Sequence, residues 1–236
     1  MKKPGKLYLI PNVIAEGTQS RVVPPQVREV LKSIRYFLAE DVRTARRYFS
    51  SLKVFDSIDA LQFETLDKDT KANEVEMMMK PLLEGNDLGV VSEAGCPGVA
   101  DPGALAVAYA HQKNIQVIPL VGPSSILLAL MASGLSGQNF AFHGYLPIET
   151  KDAARSIHEF EVESRQKNQT QIFIETPYRN NGLLQNLIQH LHPETTLCVA
   201  LDLTSDTEKI ISRQVRDLKQ KTIELPKVPA IFLFLA

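Results

Sequence analysis

The residues most able to do chemistry sit in three loops rich in glycine, proline and serine. Leu88 to His111 reads LGVVSEAGCPGVADPGALAVAYAH: an apolar run, a loop holding Gly95, Pro97, Gly98, Pro102 and Gly103, then an alanine-rich segment. A buried strand that feeds a helix through such a loop presents main chain to a ligand at the carboxyl edge of a parallel sheet. PNVIAEG (Pro11 to Gly17) and PLVGPSS (Pro119 to Ser125) follow two other apolar runs in the same way. Gly95 lets main chain approach a ligand closely, and Ser124 and Ser125 can cap a helix or bond a ligand. Asp101 before Pro102 predicts an N-cap with proline at the first helical position. Taken singly these are turn and cap residues; three such loops on one edge make a candidate site.

Other chemistries lack their residues. G-x-G-x-x-G does not follow the first apolar run, and G-x-x-x-x-G-K-[ST], G-x-S-x-G and H-E-x-x-H are absent throughout. Dinucleotide, P-loop, serine-hydrolase and zinc-protease readings therefore have no support. Cys96 and Cys198 stand far apart, so neither a metal site nor a disulfide framework is expected, and a reducing, cytoplasmic setting fits. His190 and His192 are spaced i, i+2 and share no helix face.

Strands and helices alternate around these loops. Lys6 to Pro11, Tyr36 to Asp41, LQFETL, LGVV and Ile115 to Leu120 read as strands. Pro24 to Ile34, TARRYFSSL, NEVEMMMKPLLEG and the alanine-rich segment read as helices. Repeated strand-loop-helix predicts an open, largely parallel sheet. After VGPSS the pattern restarts: helix ILLALMASG, strand NFAFHGYL, a polar helix from Lys151 to Arg165, strand QIFIET, helix NGLLQNLIQHL and strand TLCVALDL. A further strand, a short helix and a final apolar strand, AIFLFLA, complete it. The expected fold is α/β with an N-terminal domain over 1–120 and a C-terminal mixed α/β domain over 121–236. The join falls near Leu120 to Ser125, where Pro119, Gly122 and Pro123 interrupt both periodicities.

Twenty-six basic residues face 27 acidic ones, so attraction to nucleic acid has to be local. Arg28, Lys32 and Arg35 form one basic stripe, and Arg43, Arg46, Arg47 and Lys53 cluster in a second. No run approaches the ~18 apolar residues of a membrane span, and neither a leader nor membrane association is expected.

Six segments in order, LYLIPNVI, FLAEDVRTARRYF, VVSEAGCPGVADPG, VIPLVGPSSILLALMASGL, FAFHGYLP and FIETPYR, together resemble the S-adenosylmethionine-dependent tetrapyrrole methylase superfamily. Within it they are most similar to the branch of small-subunit ribosomal RNA ribose methyltransferases. The likeness runs from about Leu7 to Glu208, and its most specific pieces are Ala39-Glu40-Asp41-x-Arg43 and the S-[DE]-A-G-x-P…DPG loop. The resemblance implies a two-domain homodimer that holds S-adenosylmethionine in a cleft between its domains. It implies donor contacts from Pro11, from Ser92, Glu93, Ala94, Gly95, Cys96 and Pro97, from Gly122, Ser124 and Ser125, and from Tyr145, Ala200 and Leu201. Glu175 and Arg179 match an acidic and a basic position of the family motif, which makes them the catalytic candidates: Glu175 as base or acceptor-orienting group. Asp41, Arg43, Arg46 and Arg47 are candidates for holding an RNA substrate.

The chain departs from that branch in places. Pro11-Asn12-Val13-Ile14-Ala15-Glu16-Gly17 stands where P-x-P-I-G-N-L is usual, Glu93 replaces an aspartate, and Ala200 to Ser205 lacks an arginine and a lysine. A tetrapyrrole or other small acceptor, or a donor-binding protein without catalysis, remain alternatives to ribosomal RNA. A homodimer would give the apolar AIFLFLA run cover, and so would burial inside the chain.

Overall fold

A computed structural model describes residues 3–220 and 223–236. The chain divides into two compact units, 1–124 and 125–236. In the first, β1 (Leu7–Ile10), β2 (Tyr36–Ala39), β3 (Gln62–Thr65), β4 (Leu88–Val91) and β5 (Val117–Pro119) form a wholly parallel sheet in the order β3-β2-β4-β1-β5. Its helices are α1 (Gln19–Val22), α2 (Pro25–Leu31), α3 (Val42–Leu52), α4 (Ala72–Met78), α5 (Lys80–Leu83) and α6 (Ala104–Gln112). Side-chain alternation divides the core. Phe37 and Ala39 pack with Val27 and Leu31 of α2 and with Phe49 of α3. Leu38, between them, packs with Val75 of α4 and Ala106 of α6. The sheet is thus covered on both faces, which is why its strands read as short apolar runs. Connections after β1 and β2 leave toward one face, and that after β4 leaves toward the other. β4 lies between β1 and β2, so its carboxyl end is where ligands bind in folds of this class.

The second unit carries a mixed sheet in the order β6-β7-β10-β8-β9, from β6 (Phe140–Phe142), β7 (Thr170–Glu175), β8 (Thr196–Leu201), β9 (Lys209–Gln214) and β10 (Ala230–Leu235). Only β6 and β7 pair in parallel. One face packs with α8 (Thr150–Lys167), α9 (Asn180–His190) and α10 (Val215–Lys219) through Phe173, Phe232 and Phe234. The other packs with α7 (Ser125–Ser133) through Ile172, Cys198 and Leu233. The AIFLFLA run is the middle strand of this sheet, so it is covered within the chain and asks for no partner.

Several boundaries differ from the sequence reading. The helix expected over NEVEMMMKPLLEG is two, with Met79 between them: Pro81 has no N–H to continue the ladder and sits in the first turn of α5 instead. The helix expected to run to Ile34 stops at Leu31, and Pro24 is its N-cap. Strand β2 ends at Ala39, because Asp41 turns its carboxylate onto the Thr44 N–H and starts α3. Asp101 is not the cap of α6, whose N-cap is Gly103; its Oδ1 accepts from Gly98 N at 2.9 Å and Gly103 N at 2.7 Å and holds the loop together.

Candidate functional site

The loops after β1, β4 and β5 meet at the carboxyl edge of the first sheet. Asn12 joins the first two. It is 2% exposed, its Nδ2 donates to Ser92 O at 3.1 Å and Glu93 O at 2.9 Å, and its main-chain N donates to Gly95 O at 2.8 Å. Ser92 is buried and donates through Oγ to the same Gly95 oxygen at 3.0 Å. Gly95 takes a φ of +71°, which a side chain would strain, and a Cβ there would also lie 3.4 Å from Pro123 O. Gly122 is required by contact: its Cβ would fall 2.1 Å from the Cβ of Pro11. The Cys96 thiol donates to Pro123 O at 3.4 Å, and burial raises its pKa. Pro97 is buried beneath the loop.

This edge offers main chain and hydroxyls. The Ala94 and Cys96 amides have no partner among the described residues, nor does the Ser124 hydroxyl, while Glu93 and Ala94 are exposed. Behind them Tyr48 of α3 donates to Pro11 O at 2.8 Å and fixes the first loop; burial raises its pKa. Around the ends of β2 and β4 the charge is negative. Burial, and then the carboxylates of Glu93, Asp101 and Asp67, raise the pKa of Glu40. A hollow of about 560 Å³ opens beside this edge, walled by Asn12 and Glu16 of the first loop, Glu93, and Thr44, Arg47 and Tyr48 of α3. Groups of His, Cys, Asp and Glu that could hold a metal ion are absent among the described residues.

The remaining donor-contact and catalytic candidates lie in the second unit. Glu175, at the end of β7, has a side chain 1% exposed, and its Oε2 pairs with Arg179 Nη2 at 3.0 Å. Its Oε1 accepts from Thr176 N at 2.7 Å. Arg179 is the half-exposed partner, and both residues line a smaller hollow of about 280 Å³ with Tyr178 and Ile148. Tyr145 is 59% exposed. Ser125 is the first residue of α7. Ala200 and Leu201 are buried in β8 and paired on both sides, to Ile231 and Ala230 of β10 and to Ile210 and Lys209 of β9, so their side chains serve the core.

The arginines sort by what already holds them. Arg28 Nη1 donates to Leu52 O at 2.5 Å and closes the end of α3; Arg35 Nη1 donates to Lys32 O at 2.8 Å and Ile34 O at 2.9 Å. The stripe expected from Arg28, Lys32 and Arg35 is therefore not one helix face, since α2 ends before Lys32. Arg46 lies over the Phe63 ring at 5.4 Å. Asn12 and Tyr48 were the residues sequence reasoning passed over. Tyr48 carried a signal: it is the polar group on the buried face that Ala45, Phe49 and Leu52 otherwise make apolar.

A family model for tetrapyrrole (corrin/porphyrin) methylases matches residues 18–219. The chain belongs to that family. This methylase is 29% identical over 212 residues to a ribosomal RNA small subunit methyltransferase I of Vibrio cholerae serotype O1, covering 90% of this chain and 69% of that protein. It is 31% identical over 205 residues to the protein of the same name from a Synechocystis species, covering 87% and 69%. The crystal structure of the methyltransferase CobJ superposes with a TM-score of 0.60 at 17% identity, covering 97% of the methylase and 93% of that chain, and establishes the common fold. The methylase is thus a methyltransferase of the tetrapyrrole methylase fold, and its branch is that of the small-subunit ribosomal RNA enzymes.

Proposed function

We propose that the methylase transfers a methyl group from S-adenosylmethionine to a ribose 2'-hydroxyl of small-subunit ribosomal RNA. The observation that carries this reading is the convergence of three loops at the end of β4, in a chain whose relatives bear the name ribosomal RNA small subunit methyltransferase I. The donor set fits the cofactor. Unpaired Ala94 and Cys96 amides suit a carboxylate, the Ser124 hydroxyl suits its amino acid end, and the absence of a phosphate-binding loop suits a cofactor without phosphate. Pro11, Ser92 to Pro97 and Gly122 form or brace this set. S-adenosylmethionine supplies a methyl carbon on a sulfonium, open to in-line attack.

The protein's own task is alignment and exclusion of water. An acceptor oxygen forms its bond to carbon as the carbon–sulfur bond breaks, and the hydroxyl proton passes to a base. Glu175 is too enclosed to meet an acceptor freely; its ion pair instead fixes the Arg179 guanidinium at the mouth of its hollow. We assign it a positioning role through Arg179. A homodimer working in the cytoplasm completes the proposal, supported by the exposed Leu127 and Met131 one turn apart on α7 and by two free cysteines.

The test is transfer of labelled methyl to small ribosomal subunits from cells lacking the enzyme, with a porphyrin precursor in parallel. Label in the ribose of small-subunit RNA is expected, and Glu175→Gln should lower its rate at least tenfold. Label in the porphyrin precursor alone would overturn the reading.

A further inference from the structure

The reading as an RNA methyltransferase leaves open where the strand runs, and α3 answers it. The helix presents Arg43 and Arg47 four residues apart on its exposed face, and neither forms a hydrogen bond or ion pair among the described residues. That separates them from Arg28 and Arg35, which hold main-chain carbonyls, and from Arg46, which lies over Phe63. Two hollows flank this face. One is the cleft beside the donor edge, with Glu16, Glu93, Thr44, Arg47 and Ser51 among its walls. The other is an open trough of about 750 Å³ along Arg43, Arg46, Arg47 and Ser50. Arg47 and Ser51 belong to both and form the ridge between them.

We propose that a single RNA strand crosses α3 at this ridge, with the acceptor nucleoside seated in the hollow beside the donor edge and the neighbouring nucleotide in the trough. The chemistry of the two sides differs in the required sense. The trough carries the guanidinium groups of Arg43, Arg46 and Arg47 beside Val42 and Ile58, so it offers cations to a phosphate and apolar surface to a base or sugar. The hollow counts the carboxylates of Glu16 and Glu93 among its walls, so it disfavours phosphate in its interior and accepts N–H donors from a base, while Arg47, shared with the trough, meets phosphate. Its volume is that of a small-molecule pocket, so it admits one nucleoside and not a duplex. The hollow adjoins Glu93 and Ala94, which places the bound ribose at the loop proposed to hold the donor.

This inference rests on the proposed RNA activity, and the experiment separates the two. Affinity for a short unstructured RNA oligonucleotide is measured across a salt series, and KM is measured with small ribosomal subunits. The proteins compared are the wild type, Arg43→Gln, Arg47→Gln, the double variant, and Arg216→Gln as a control on an exposed ion pair with Glu194 in the second unit. Each α3 substitution should reduce the slope of log affinity against log salt by about 0.7, the value for one phosphate contact on a single strand. The double variant should raise KM at least tenfold, with donor affinity and melting temperature held. Ser51→Trp, which plugs the shared ridge, should lower kcat while leaving donor affinity intact. An unchanged slope and KM in the double variant, with wild-type transfer intact, overturns the α3 path alone. Absence of wild-type transfer to the subunits overturns the RNA reading and this path together.

Discussion

Cys198 stands on β8 with no exposed surface, between Leu233 of β10 and Ser212 of β9. Burial raises its thiol pKa from 9.0 to about 11, against a smaller opposing contribution from Ser212. An acid whose folded pKa is raised stabilises the protein fully below its unfolded pKa, and that stability is lost as pH climbs through the folded value. Between pH 8 and 10.5 the thiol should therefore withdraw about 2 kcal/mol. Urea unfolding of wild type and Cys198→Ala at both values checks it. The variant is expected to be the less stable at pH 8, and the gap should narrow by that amount at pH 10.5; a constant gap would show that the thiol does not titrate in this window. Asn12 shows the other kind of residue-scale result. Its type and position were plain in the sequence, yet only the folded chain reveals that one side-chain amide ties two loops separated by 80 residues.

α3 is the element on which most depends, since it carries Tyr48 inward to the first loop and Arg47 outward to the hollow. Its start is fixed by Asp41, whose carboxylate accepts from the Thr44 N–H. That bond is the main cause of the lowered Asp41 pKa, with Thr44's hydroxyl, Arg43 and Arg47 adding to it. A carboxyl group with a lowered folded pKa stabilises above its unfolded pKa and ceases to do so as pH falls through the folded one. Asp41→Ala should cost about 1 kcal/mol at pH 7, seen as a melting temperature lower by about 2–4 °C, and the deficit should shrink at pH 3. An undiminished deficit at pH 3 would assign the loss to something other than the cap. The strands and three edge loops were legible because apolar runs, prolines and glycines report local geometry. The break at Met79 and the cap of α6 were missed for the same local reason: Pro81 and Asp101 each admit two roles, and neighbouring elements decide between them. Arg28 and Arg46 could not be sorted, because the carbonyl that the one meets and the ring that the other covers belong to other elements of the chain.

At the scale of the whole molecule, each unit has a complete sheet with its own apolar clusters on both faces, and the chain's formal charge is only −1. The near-zero charge means that affinity for RNA has to come from a few placed cations rather than from a general field, so its salt slope counts contacts. The separate cores make a mechanical prediction. Leu233 is wholly buried in the middle strand of the second sheet, paired to Ile172 and Cys198. Leu233→Ala removes its methyl groups and leaves a cavity, a change that costs about 2–5 kcal/mol. Because opening can occur in cooperative parts of a chain, the loss should register where the cavity is. Native-state hydrogen exchange should show the amides of β7, β8 and β10 losing protection by that amount, while those of β1, β2 and β4, in a unit with its own apolar clusters, stay within about 0.5 kcal/mol of wild type. Equal losses in both sheets would mean that the two units unfold as one, and that a ligand held at the first sheet's edge stabilises the second through the same cooperative step.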